Sequence, residues 1–312
     1  MHVEGTLPFF TRLRVYLKER FPVFGNGLLI AVFTFSAIAY SRICRGAAGF
    51  IPITDFIIGI FATITLFLLV RIFDEHKDKT EDAQFRAYLP VPRGLITLAE
   101  LRKVGWTIAI VQIIVITIFQ PRMFFLYALV IGYLLLMGKE FFISAWLKRH
   151  HLIYITSHML IIPLVDMYSS GLDWLLGNAQ PHWTLAWFFA VSFMNGMVLE
   201  FGRKLRAPAD EETGVISYTG LYGLRTGTWI WISLLVTTMI LAIAAGKYAG
   251  FGMHAIIVFP IECMFCMIPA FVFLRKPGKK TAKYIEIASA VWTALMYLSL
   301  GAIPMINRLL QT

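Results

Sequence analysis

Apolar residues in this chain run in long unbroken stretches, not in the alternation of a half-buried strand or the single stripe of a surface helix. Nine stretches stand out, at about 24–42, 51–73, 104–120, 122–138, 151–169, 183–201, 226–246, 250–274 and 284–306. Several approach the roughly 20 residues that carry a helix across a hydrocarbon core. The pattern predicts an all-α membrane protein: nine transmembrane helices around a central cavity, with two cytoplasmic helix–loop caps. The longest polar intervals, 74–103 and 202–225, are too short for a soluble domain. The chain therefore reads as a single transmembrane domain, 1–312.

Composition agrees. Of the 312 residues 58% are hydrophobic and 15% charged, against about a quarter charged in soluble domains. The net charge of +10 would suit nucleic acid, but its distribution argues against that partner. With the N-terminus in the cytoplasm, all but five of the 28 Lys and Arg fall on the cytoplasmic side; Arg42, Arg45, Arg122, Lys247 and Arg308 fall opposite. This positive-inside asymmetry sets the orientation of a multi-pass protein of the plasma or inner membrane. The first 23 residues, with Arg12, Arg14, Lys18 and Arg20, lack the form of a cleavable signal and suggest an amphipathic helix on the membrane surface. Cys44, Cys263 and Cys266 make no disulfide framework; the last two read as buried thiols within a span.

Two acidic clusters sit where a span meets a basic loop. One is Asp74-Glu75-His76-Lys77-Asp78-Lys79-Thr80-Glu81-Asp82; the other runs from Glu200 through Arg203, Lys204 and Arg206 to Asp210-Glu211-Glu212. They follow spans 2 and 6, four spans apart, as two four-helix halves plus a ninth span would put them. If span 2 continues as helix, Asp74, Asp78 and Asp82 share one face, with Glu75 beside it. Carboxylates so spaced suit Mg²⁺, which takes one or two of them plus waters and substrate phosphate. Arg203, Lys204 and Arg206 can bind phosphate oxygens. Acid and base beside an apolar cavity match a lipid diphosphate, and the paired clusters suggest one site for it. After the first cluster, Pro90 and Pro92 force extended backbone. Thr97 with Glu100 reads as a capping box opening a short helix at about 98–104, so 74–103 is expected to be a structured lid.

Asp74-Glu75-x-x-Asp78-x-x-x-Asp82 followed by Pro90-Val91-Pro92-Arg93-Gly94 resembles the first motif of the UbiA superfamily of intramembrane prenyltransferases. That family's pattern is Asn-Asp-x-x-Asp-x-x-x-Asp and a Pro-x-Pro-x-Gly-like turn, and its nine-span layout is similar too. The resemblance implies Glu75, Asp78 and Asp82 as Mg²⁺ ligands, with Asp74 at the Asn position. In the second motif, ahead of Gly214-Val215-Ile216-Ser217-Tyr218, it implies Glu200 and Asp210. Asp78, Asp82 and Asp210 become the catalytic candidates. Arg71, Lys77, Arg93, Lys139, Arg149, Asn195, Arg203, Lys204 and Arg206 become the candidates for holding substrate. Arg203, Lys204 and Arg206 stand where the family keeps Tyr and Asp, which favours phosphate there over a second Mg²⁺.

The implied reaction is Mg²⁺-dependent transfer of a prenyl group from a polyprenyl diphosphate in the lipid bilayer to an unidentified small-molecule or lipid acceptor. One alternative is transfer of a phosphosugar from a soluble diphosphate donor to a polyprenyl phosphate. Another is a transporter or lipid-binding protein, against which the position of the clusters at one membrane face counts. Among the remaining polar residues, His150 and His151 point apart on a helix, His158 is expected to be hydrogen-bonded, and Asp166 is expected at a helix end or in a loop. Glu262 and Glu286 require partners that the sequence does not name. Trp174 and Trp183 suit an interfacial belt.

Overall fold

The computed structural model describes residues 7–311; residues 1–6 and 312 of the expected domain lie outside the described residues. Among the described residues the fold is all-helical, and nine helices are long and apolar enough to cross a membrane. Each coincides with one of the nine apolar stretches. The protein is an integral membrane protein. The described residues divide into two compact units, residues 7–31 with 52–149, and residues 32–51 with 150–311.

In the first unit α1 is Phe9–Arg20, and α2, Val23–Cys44, contributes its residues up to 31. Then come α3 (Ile53–Lys77), α4 (Lys79–Phe85), α5 (Leu98–Phe119), α6 (Phe124–Gly138) and α7 (Ser144–Arg149). The expected N-terminal helix exists, but its buried side meets protein: Tyr16 packs with Ile72, Leu95, Ile96 and Leu101. Arg12 bonds Glu100 at 2.6 Å, and Arg93 bonds Glu19 through both guanidinium nitrogens at 2.8 Å. The lid is thus held from α1. Its turn closes with the Leu95 N–H donating to the Pro90 carbonyl, and Gly94 takes φ +81°, which only glycine adopts freely. The capping box is present: Glu100 N–H donates to Thr97 Oγ1, and Thr97 N–H to Glu100 Oε2. The helix it opens does not stop near 104 but runs unbroken to Phe119, because nothing between Leu98 and the apolar stretch interrupts it. Inside the spans, Gln112 donates to the Ala62 carbonyl and to Thr65 Oγ1 and accepts from Tyr127 Oη, tying α3, α5 and α6 together without water.

The second unit takes α2 from residue 32 and continues with α8 (His151–Met159), α9 (Ile161–Trp174), α10 (Leu185–Arg203), α11 (Tyr218–Tyr222), α12 (Leu224–Gly246), α13 (His254–Arg275), α14 (Lys279–Tyr297) and α15 (Ile303–Leu310). The fifth span is broken at Leu160, since Pro163 has no N–H to offer the carbonyl one turn back. A π turn over Leu298–Ala302 sits just ahead of Pro304 for the same reason. Trp231 Nε1 donates to the Val198 carbonyl and to Ser289 Oγ, joining α10, α12 and α14.

Gly301, inside the π turn, lies against the backbone of Ser36: a Cβ there would come within 2.5 Å of Ser36 Cα and of its carbonyl oxygen. Backbone cannot swing aside as a side-chain tip does. Gly301→Ala is therefore expected to destabilise the protein by about 3 kcal/mol, the upper end for overpacking. A thermal unfolding midpoint in detergent that matches wild type would overturn this packing.

Candidate functional site

In the first cluster α3 ends at Lys77, and Asp78, at φ −89° and ψ 6°, joins it to α4. The single helix expected to align Asp74, Asp78 and Asp82 is therefore bent. Asp78 is a poor interior helix residue, its side chain competing for nearby backbone groups. The bend brings Glu75 and Asp82 to one cavity of about 420 Å³, lined also by Lys79, Thr80, Val91, Pro92 and Leu98. It is polar at the cluster and apolar at the lid.

Both carboxylates are almost fully buried. Glu75 Oε1 accepts from Arg20 Nε at 2.7 Å and from Arg71 Nη2 at 2.9 Å. Asp82 Oδ1 accepts from Arg86 Nη1 at 3.0 Å. Asp82 is buried because Arg86, four residues on, neutralises it within α4 and its cap. Asp74 and Asp78 remain part-exposed, with Lys77 at 3.3 Å and 3.9 Å. Burial pushes the Asp78 carboxyl up to about 6 against the pull of Lys77. Burial also raises Asp82, opposed by Arg86. Arg93, expected to hold substrate, is engaged by Glu19, whose carboxyl it holds below the usual range.

In the second cluster Glu200 receives two cations, Arg203 Nη2 at 2.6 Å and Lys204 Nζ at 2.6 Å. Lys204 also lies over the Tyr218 ring, which stacks on Phe201 at 3.9 Å. Burial raises the Tyr218 hydroxyl, and the Glu200 charge adds to this. Arg206 pairs with Glu212 at 3.0 Å. Glu211 accepts from Ser217 Oγ and Thr219 Oγ1, closing the loop ahead of α11. Asp210 ends a 3₁₀ turn, Pro208–Asp210, and is half-buried.

Mg²⁺ needs only one or two carboxylates if phosphate and water fill the other positions. Glu75 and Asp82 at one cavity fit that need, each with a second oxygen beyond the one its arginine holds. Glu200, with Oε2 taken by Arg203 and Oε1 by Lys204, fits a metal poorly. Among the described residues no three His, Cys, Asp or Glu side chains converge as a metal-binding group. His150 and His151 accordingly form no such site.

Other candidates scatter. Lys139 and Arg149 are exposed, flanking a turn in which Glu140, Phe141 and Phe142 all have positive φ, near 47°, 53° and 61°. Asn195 is fully buried in α10. His158 donates through Nδ1–H to the Tyr154 carbonyl, as expected of a hydrogen-bonded histidine. Asp166 is neither at a helix end nor in a loop: it is fully buried within α9, a position that spacing cannot distinguish from a helix end when Pro163 breaks the span. Glu262 has Ser299 as partner at 3.5 Å, and Glu286 has Lys283 at 2.7 Å. Cys263 and Cys266 are buried free thiols. Sequence reasoning missed Arg20, Lys79, Thr80 and Arg86. Arg86 was detectable as the i+4 partner of Asp82; Arg20, 55 residues before Glu75, carried no local signal.

No protein-family model matches the chain, and no curated protein matches it in sequence. Among solved structures it is similar to a digeranylgeranylglyceryl phosphate synthase, with a TM-score of 0.61 over 95% of this chain and 99% of that one, at 16% identity. At that identity the likeness establishes the fold, a nine-helix membrane architecture.

Proposed function

We propose that this protein transfers a prenyl group from a polyprenyl diphosphate to an acceptor, with Mg²⁺ bound at the first acidic cluster. The observation that carries the reading is the cavity where Glu75 and Asp82 meet Lys79, Thr80 and the apolar lid residues Val91, Pro92 and Leu98. A polyanionic head on a hydrocarbon tail asks for that combination. The solved structure sharing this fold is of an enzyme named for a lipid phosphate with two geranylgeranyl groups, which supports an isoprenoid substrate.

Glu75, Asp82 and Asp78 would hold the metal, which supplies charge to the departing diphosphate. Lys79 donates to phosphate oxygens at the same cavity. Arg20 and Arg71 keep Glu75 ionised and oriented in a buried position where a lone carboxylate would take up a proton. The lid, held by Arg12–Glu100 and Arg93–Glu19, keeps water from the cation that forms when the allylic carbon–oxygen bond breaks. Arg203 and Lys204, more exposed than the Glu200 they share, serve phosphate in preference to metal.

The test is diphosphate release from farnesyl, geranylgeranyl and longer diphosphates by purified protein in detergent, with Mg²⁺ or with EDTA. Release or binding that requires Mg²⁺ is expected. Binding of a polyprenyl monophosphate with no response to any diphosphate would transfer the support to the phosphosugar reaction. Binding of neither would defeat the reading.

A further inference from the structure

Four helices' worth of apolar packing in the second unit surrounds a polar group that prenyl transfer does not use. Asp166 and Ser169, three residues apart, share one face of α9; Ser192 and Asn195, three apart, share one face of α10. All four are inaccessible to solvent, and Tyr297, the last residue of α14, is 3% exposed. The Asp166 carboxyl lies next to the Ser192 hydroxyl, and Tyr297 faces Asp166, Ser192 and Asn195 together. Yet both Asp166 oxygens, both amide atoms of Asn195 and the hydroxyls of Ser169 and Ser192 have no hydrogen-bond partner.

These neighbours lie within electrostatic reach of one another yet make no hydrogen bond of proper distance and angle, so a shared partner is what they lack. A buried polar group left without its hydrogen bond is costly, so a shared guest is favoured. The donor set says what guest. Its acceptors are carboxylate, hydroxyl, amide and phenol oxygens, its one nitrogen is the Asn195 amide Nδ2, and it holds no Lys, Arg or His. An anion would meet the carboxylate's charge. A divalent cation would leave an uncompensated positive charge in a sealed apolar setting. A proton on Asp166 would let one oxygen donate to a single neighbour and leave the other groups as they are. A monovalent cation neutralises the carboxylate and satisfies several oxygens at once.

We propose that Asp166, Ser192, Asn195 and Tyr297 form an intramembrane site for one sodium-sized cation. The site lies wholly within the second unit and does not depend on the prenyl-transfer reading. It makes the protein's stability sodium-linked, since an ion that binds only the folded state raises its unfolding temperature.

The test is thermal unfolding of the full chain in detergent in sodium chloride against choline chloride at equal ionic strength, paired with retention of radioactive sodium. Expected are a midpoint that climbs with sodium concentration, stoichiometric retention, loss of both in Asp166→Asn, and an at least tenfold weaker half-saturation in Asn195→Ala. If Asp166→Asn does not fold, Ser192→Ala and the wild-type titration decide the matter. Identical midpoints in the two salts with no retained sodium would overturn the proposal. So would sodium binding that Asp166→Asn and Asn195→Ala leave untouched, or an infrared band of a protonated carboxyl that persists in saturating sodium and disappears in Asp166→Asn.

Discussion

Asp173→Ala is expected to cost about 3 kcal/mol of stability. The carboxylate is buried at the end of α9 and receives Arg42 Nη1 at 2.8 Å, Arg45 through Nε and Nη2 at 2.8 and 2.7 Å, and Ser41 Oγ at 2.7 Å. Removing it leaves two guanidiniums facing each other with no counter-charge. Breaking a buried pair from one side costs about 3–5 kcal/mol. The lower figure applies because Arg42 and Arg45 are 12% and 21% exposed and water offsets part of the loss. Arg42 also donates to the carbonyls of Ala48 and Gly49, so the same change loosens the loop that follows α2. Asp173→Asn keeps an acceptor but no charge and should fall between. Denaturant or thermal unfolding in detergent measures both. An Asp173→Ala protein as stable as wild type would mean that the two arginines find other partners at no cost.

Asp78→Asn is expected to lower Mg²⁺-dependent diphosphate release by at least about 100-fold, since even residues that only orient metal ligands cost 10–100-fold. Asp78 gives the cleanest reading of the cluster. Its side chain is part-exposed and its cation neighbour, Lys77, is 3.9 Å away, so the isosteric change barely touches packing. Asp82→Ala, by contrast, strands Arg86 in a buried place and would mix lost activity with lost stability. The pH profile adds a second readout. With the folded carboxyl at about 6 and an unfolded value near 4, the native state holds the extra proton between those values. Stability of the metal-free protein through this group therefore falls as pH rises from about 4 to 6, and Asp78→Asn flattens that slope. Mg²⁺ needs the ionised form, so its affinity should rise across the same window. An Asp78→Asn protein with an unchanged rate would remove Asp78 from the metal-binding set.

Much of the architecture was legible because it is written locally. A span needs only consecutive apolar residues, and all nine stretches became helices. The box at Thr97 and Glu100 is a three-residue relation, and so was visible. The acidic and basic residue types of the first cluster were legible at helical spacing, but not its bend at Asp78 or the burial of Asp82. Arg42 and Arg45 show the limit from the other direction. Counted as loop cations, they helped to set a charge asymmetry; folded, both are consumed by Asp173, which no periodicity links to them.

By itself the sequence determined what depends on neighbours in the chain: the membrane class, nine helices, the cap at Thr97, and two acidic clusters with basic flanks. Only the tertiary structure decided which charges meet. That Arg20 holds Glu75 from 55 residues away, that Glu200 is neutralised by its own helix end while Glu75 and Asp82 line a cavity, and that Asp166 is sealed among unpaired oxygens are facts of packing. In hydrocarbon every charge must find a partner, but many partners would satisfy the same sequence, and the choice among them is made by the helices' contacts.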